Sequence, residues 1–210
     1  MFAGKPVIGI IGGIGSGKSF VARVFGEMGC LVISSDEQVR QVYGDDAVKA
    51  ELRRWWGGQV LQPNGEINRR FIAEKVFNAP HELKRLEGLI HPLVKEARDA
   101  AMKHAAGDPQ VLAYVWDTPL LLEASLAGEC DAVVFVDAPP ELRLARVSAT
   151  RGWEPAELDR REKLQWGLDK KRRMADYVLS NTADADFVRH QVRELLSRIL
   201  AGSPSKPTPG

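Results

Sequence analysis

The apolar run Val7-Ile8-Gly9-Ile10-Ile11 passes directly into Gly12-Gly13-Ile14-Gly15-Ser16-Gly17-Lys18-Ser19, and this junction constrains the chain more than any other feature. The octapeptide satisfies G-x-x-x-x-G-K-[ST] at every fixed position, between a strand-like run and an amphipathic helical stripe. Glycines let the backbone wrap closely with its N–H groups pointing inward, onto phosphate oxygens. A helix start just beyond adds unpaired N–H groups and the positive end of a dipole. In such a loop Lys18 reaches the β- and γ-phosphates of a nucleoside triphosphate and the Ser19 hydroxyl ligates Mg2+. A glycine turn that only capped a helix would have no reason to carry Lys and Ser at those two positions.

Four further apolar runs follow: Leu31–Ile33, Val111–Trp116, Ala132–Val136 and Tyr177–Leu179. None alternates with polar residues, which is how strands buried on both faces read. Segments of helical period separate them. Val21, Val24, Phe25 and Met28 form one stripe, closed by Gly29, and Val188, Val192, Leu195, Leu196 and Ile199 form another. Strands alternating with helices predict an α/β fold, a five-stranded parallel sheet covered by helices on both faces.

Two stretches carry no strand. Residues 47–106 read as several helices punctuated at Gly57-Gly58, Asn64-Gly65, Ala79-Pro80 and His91-Pro92, and residues 140–174 read as helical and densely charged. Insertions between strands of one sheet form substrate-holding arms and lids. The expected division is a nucleotide-binding core of residues 1–46, 107–139 and 175–201, an arm at 47–106, a lid at 140–174, and a disordered Pro- and Ser-rich tail at 202–210.

Composition narrows the partners. Lys plus Arg number 29 against 28 Asp plus Glu, a net charge of +1, which argues against nucleic-acid binding as the main task. No run approaches the roughly 18 apolar residues of a membrane span, and the first residues do not form a signal peptide. Cys30 and Cys130 make no metal-binding pattern and read as buried thiols of a cytoplasmic protein.

Phosphate loops serve kinases, GTPase switches and motors, so the loop alone leaves the activity open. A GTPase needs D-x-x-G and N-K-x-D after later strands. Asp117-Thr118-Pro119-Leu120 lacks the glycine, and Asn181-Thr182-Ala183-Asp184 lacks the lysine. Asp36 supports a kinase. It follows the second run at the edge where the phosphate loop lies, and a carboxylate there can accept the proton of an attacking hydroxyl. A second reading makes Ser35 and Gln38 a capping box, with Asp36 complementing the helix dipole.

Several pieces, in order, resemble the dephospho-CoA kinase family. They are the phosphate loop, Ile33-Ser34-Ser35-Asp36, Arg69 ahead of Val76-Phe77, Ile90-His91-Pro92-Leu93, Pro119-Leu120-Leu121-Leu122-Glu123, and Ala175-Asp176 with Asn181 beyond it. The resemblance spans about Val7 to Ile199. It implies transfer of the ATP γ-phosphate, with Mg2+, to the ribose 3′-hydroxyl of dephospho-CoA, the last step of coenzyme A synthesis. A monomer or weak homo-oligomer is expected. Gly12, Gly13, Ile14, Gly15, Ser16, Gly17, Lys18, Ser19 and Phe20 then form the ATP site. Asp36, Lys18 and Arg151 take catalytic roles, and Asp36, Arg69, His91, Pro119 and Leu120 border the acceptor. Three positions depart from the family. Ser34 stands where a first Asp is usual, Phe20 where Thr is frequent, and Ala183 where Gly is common.

Alternatives stand beside these roles. Asp117 either ligates Mg2+ through water or forms a turn before Thr118-Pro119. His91-Pro92 either borders the acceptor or breaks one helix and starts another. Arg151-Gly152 is a lid arginine or a plain helix end. Lys170-Lys171-Arg172-Arg173 is a solvated helix face or a phosphate-facing part of the lid. Trp153 and Trp166 either stack on adenine or pack the lid. Another small-molecule or nucleotide kinase, or a nucleotide-dependent binding protein without an acceptor, remains the rival class.

Overall fold

In a computed structural model of the protein, residues 1–202 other than Asn78 and Ala183 are described. The expected tail from 203 onward, and the Ala183 departure, lie outside the described residues. The strands are β1 (Val7–Gly12), β2 (Cys30–Ser34), β3 (Ala113–Asp117), β4 (Ala132–Asp137) and β5 (Tyr177–Ser180). They form one sheet in the order β2-β3-β1-β4-β5, and every pair is parallel. All five apolar runs are therefore strands of one sheet, and the predicted fold class is correct.

The chain divides into two compact units, Met1–Ser34 with Met102–Gly210, and Ser35–Ala101. The first contains the whole sheet. Its helices are α1 (Lys18–Glu27), α6 (Pro140–Arg151), α7 (Pro155–Glu162), α8 (Leu168–Met174) and α9 (Ala185–Leu200). Alternate strand residues, among them Ile8, Ile10, Val115, Val134, Val136 and Leu179, pack with Val21, Val24 and Phe25 of α1 and Val188, Val192 and Leu196 of α9. Both predicted stripes thus bury against one face of the sheet. α1 ends where expected: Gly29 adopts φ +85°, and Met28 and Gly29 donate back to Phe25 and Gly26 carbonyls. On the opposite face, Leu121 lies within 3.0 Å of where a Gly9 Cβ would stand, and α8 packs on β1 and β4.

The second unit comprises α2 (Ser35–Gly44), α3 (Asp46–Trp56), α4 (Arg69–Phe77) and α5 (Pro80–His104), the last running on into the first unit. Its own core gathers Val42, Val48, Leu52, Val60, Ile67, Ile72, Leu86 and Ile90. One expectation fails here. His91-Pro92 neither breaks a helix nor caps one, because α5 runs unbroken from Pro80 to His104 with Pro92 inside it. A proline removes its own helical hydrogen bond and crowds the carbonyl four residues back, but apolar residues on both sides, Ile90 and Leu93, pack into this unit's core and carry the helix through.

Cys30 is buried and Cys130 half-buried, with no disulfide between them. Burial pushes the Cys30 thiol up to about 12. No helix among the described residues is long and apolar enough to cross a membrane.

Candidate active site

The order of the strands fixes where a ligand can bind. From β1 the chain passes to β2 beyond one neighbour and later to β4 on the other side, so β1 stands at the point where the winding reverses. Loops leaving the carboxyl ends of strands diverge there and open a crevice. The phosphate loop is the loop that leaves β1.

Its backbone has the conformation the glycines were expected to supply. Gly12, Gly15 and Gly17 all have positive φ, at 154°, 76° and 89°. A Cβ on Gly15 would come to 2.5 Å from the Arg143 carbonyl, and one on Gly12 to 2.6 Å from that of Val136. A Cβ on Gly17 would collide with the Asn181 amide, which donates to the Ser16 carbonyl at 2.7 Å. Gly17→Ala therefore combines αL strain of about 1–2 kcal/mol with a broken buried hydrogen bond of about 1–3 kcal/mol. Gly65→Ala, at φ +79° with nothing near its Cβ, carries only the strain. Melting curves are expected to show Gly17→Ala falling well below Gly65→Ala. Equal losses would mean that the Asn181 contact carries no weight.

Lys18 opens α1 and folds back over the loop, donating to the carbonyls of Gly13 at 2.9 Å and Gly12 at 3.2 Å. Its ammonium pKa is lowered to about 8, chiefly by burial. The nearby Lys171 ammonium adds to the shift, Asp117 opposes it, Arg151 adds again and Glu123 opposes. Asp117 is buried at the end of β3, in register with Ile10 on one side and Ser34 on the other. Ser19 is exposed in the first turn of α1, and Phe20 packs against the core under the Arg23 guanidinium.

Two arginines of α6 hold the loop from outside: Arg146, a residue of the charged lid segment in the sequence reading, and Arg143, which that reading passed over. Arg143 of α6, buried, donates to the Ile14 carbonyl and pairs with Glu162 at the end of α7. One turn on, Arg146 donates to the carbonyls of Gly15, Ser16 and Asn181. Their spacing of three along a helix was the available signal, because it puts both on one face. Arg151 ends α6 before Gly152, which has φ +65°, and lies exposed with its guanidinium 4.8 Å from the Trp153 ring. Arg161 covers the same ring at 4.2 Å, and Lys170 sits 3.3 Å from that of Trp166. Both tryptophans are thus packed against cations within the 140–174 segment.

Lys18, Asp117 and Arg151 all lie in the first unit, where the Asp117 and Arg151 charges act on the Lys18 ammonium; Pro119 is half-buried and Leu120 exposed just beyond β3. Asp36, Arg69 and His91 belong to the second unit. Asp36 is exposed in the first turn of α2, beside Glu37. Arg69 starts α4 with its guanidinium 5.5 Å from the Tyr43 ring, and His91 is exposed on α5.

Mg2+ and ATP can be tested against these residues. No group of three or more His, Cys, Asp or Glu among the described residues can hold a metal by itself. Ser19 offers a hydroxyl and Asp117 a carboxylate, oxygen donors of the kind that Mg2+ takes. Because a Cβ at Gly12, Gly15 or Gly17 would collide with neighbouring protein atoms, the loop keeps bare backbone there, whose N–H groups can approach phosphates closely.

An all-parallel doubly wound sheet with this loop at its switch point defines a nucleotide-binding protein of the phosphate-loop kinase class. A family model described as dephospho-CoA kinase matches residues 6–186. The dephospho-CoA kinase of Leptospira interrogans is 35% identical over 195 residues, covering 92% of this chain and 93% of the relative. That of Thermobifida fusca is 36% identical over 190 residues, covering 90% and 93%. Among solved structures, TT1252 from Thermus thermophilus superposes with a TM-score of 0.81 at 30% identity, over 93% of this chain and 98% of that one. A dephospho-CoA kinase from Campylobacter jejuni, at 22% identity and a TM-score of 0.69, covers 94% and 98% and shares the fold. The chain belongs to the dephospho-CoA kinase family, whose members are phosphotransferases acting on dephospho-CoA.

Proposed function

We propose that the protein transfers the γ-phosphoryl group of ATP to the ribose 3′-hydroxyl of dephospho-CoA, in the cytoplasm and with Mg2+. The observation that carries the reading is Lys18. Its ammonium is held on the loop's own carbonyls beside Asp117, on a loop shaped for phosphates, in a chain of this family. Residues 47–106 serve as the acceptor arm and 140–174 as the lid, with Arg69, His91, Pro119 and Leu120 bordering the acceptor.

The chemistry assigns a task to each residue. The loop N–H groups and Lys18 bind the β- and γ-phosphates and stabilise charge that spreads over the γ-phosphoryl oxygens as the bond to the leaving oxygen lengthens. Ser19, with Asp117 through water, would hold Mg2+, which when bound neutralises charge on the β- and γ-phosphates. Asp36 orients the 3′-hydroxyl and takes its proton as the new P–O bond forms, leaving ADP. Arg151 contacts the transferring group when the lid closes.

ADP release with ATP and Mg2+, measured against dephospho-CoA, nucleoside monophosphates, shikimate and gluconate, tests the reading. Stimulation by dephospho-CoA alone is expected. Stimulation only by another acceptor would make the protein a different kinase, and none at all would make it a nucleotide-dependent binding protein. Lys18→Ala is expected to weaken ATP binding and to lower kcat tenfold to roughly a hundredfold, since a charged hydrogen bond contributes about 1.5–3 kcal/mol. A near-normal kcat at saturating ATP would remove Lys18 from the catalytic step.

A further inference from the structure

The basic run Lys170-Lys171-Arg172-Arg173 contains one residue unlike its neighbours. Lys171 is 1% exposed, among the most enclosed large side chains of the described residues. Lys170 lies on Trp166, Arg172 pairs with Asp137 at 2.6 Å, and Arg173 is exposed, whereas Lys171 points inward from α8. Its ammonium is 3.0 Å from a carboxylate oxygen of Glu123 and donates to the Gln165 side-chain carbonyl at 2.9 Å. The same Glu123 oxygen accepts from the Trp166 backbone N–H at 2.9 Å. One carboxylate, anchored beyond β3 by the buried neighbours Leu121 and Leu122, therefore fastens both the middle of α8 and the chain leading into it.

The placement of this knot gives it a consequence. Leu168, the first residue of α8 and three before Lys171, reaches 3.1 Å from where a Gly13 Cβ would be, so α8 rests on the phosphate loop itself. The Lys171 charge also acts on Lys18, with Glu123 acting in the opposite sense. A buried ion pair is a poor device for stability, because desolvating both charges offsets their attraction, and an apolar pair of similar volume commonly serves as well. This one acts on a second ammonium, that of Lys18 on the phosphate loop.

We propose that Lys171, pinned by Glu123, is a positioning residue of phosphoryl transfer: it holds α8 against the phosphate loop and sets where Lys18 places its ammonium. The inference rests on Lys18 acting as the phosphate clamp. It predicts that stability and catalysis separate when the pair is removed as a unit. Lys171→Met alone leaves Glu123 buried without its cation and is expected to lower both Tm and kcat. Glu123→Leu combined with Lys171→Met removes both charges and is expected to recover most of the lost Tm. In that double variant kcat should remain at least tenfold below wild type, while KM for dephospho-CoA stays within about twofold, an order-of-magnitude expectation for a lost charged contact. Lys171→Arg, which keeps the charge, is expected to restore part of kcat.

A double variant with wild-type kcat would make the pair a structural strut and overturn the proposal. If the double variant also melts early, Glu123→Gln decides by the same kcat and KM measurements, because it keeps the ammonium and a hydrogen-bond acceptor but loosens the pin. A wild-type kcat there would likewise overturn it. Lys18→Ala, assayed alongside, distinguishes the two levels. If Lys18→Ala is itself silent, the clamp reading fails. A silent double variant beside a crippled Lys18→Ala defeats only the role of Lys171.

Discussion

Asp36→Asn is expected to lower kcat by about 10²–10⁴-fold, the usual contribution of a positioned general base. A ribose hydroxyl is a poor nucleophile near neutral pH, and a carboxylate that orients it and accepts its proton helps most as the new bond forms. Asn keeps the shape and loses the basicity. The rival role, electrostatic support of a helix start, makes a different forecast. Asp36 lies exposed in the first turn of α2, where a carboxylate contributes about 0.3–1 kcal/mol through the helix dipole. Its replacement by Asn therefore costs at most a few degrees of Tm. The first carboxylate usual in the family is Ser34 here, and its register partner across the sheet is Asp117. Parallel measurement of kcat, ATP affinity and Tm separates the roles. A variant that phosphorylates dephospho-CoA within a few-fold of wild type would leave Asp36 as a helix residue only.

Arg151→Ala carries the other large expectation, a loss of about 10³-fold or more in kcat, as for arginines that neutralise charge on a transferring phosphoryl group. The side chain is exposed, and its visible contact is the stack on Trp153. An exposed cation–π contact contributes about 0.5–1 kcal/mol, and Arg161 continues to cover the ring after Arg151 is removed. Tm should hardly move. Arg151→Lys sharpens the test, since it keeps the charge and loses the planar fork that engages two oxygens. It is expected to recover only part of the rate. Activity within fivefold of wild type in Arg151→Ala would return the residue to the simpler role of a helix end before Gly152.

The local features of the chain were legible because their causes are local. A buried strand, a glycine loop and a helix start are contiguous between Val7 and Glu27, so the phosphate loop follows from neighbouring residues, with the positive φ at Gly12, Gly15 and Gly17 open to glycine. Unbroken apolar runs marked the strands, and β1, β3 and β4, buried along almost their whole length, have no solvent side on which to place polar residues, whereas the edge strand β5 leaves Val178 exposed. His91-Pro92 shows where local reasoning misleads. The dipeptide is a helix-breaking signal taken by itself, yet packing of Ile90 and Leu93 on either side carries α5 through it.

Sequence alone thus determined the fold class, the phosphate loop and the resemblance to a kinase family. Tertiary structure decided which charges matter around that loop. Nothing in Lys170-Lys171-Arg172-Arg173 distinguishes the second lysine until α8 lies on β1 and β4 and Glu123 arrives beneath it. Arg143 and Arg146 are likewise ordinary arginines of a charged helix until α6 meets the carbonyls of Ile14, Gly15 and Ser16. The reason is physical: helix and strand preference arises among residues a few positions apart, whereas burial and electrostatic interaction depend on distance in space. Lys18 has the pKa of an ordinary lysine as a letter in the chain. Its lowered value exists only because folding encloses it and brings Lys171 and Arg151 near it, against the opposing charges of Asp117 and Glu123.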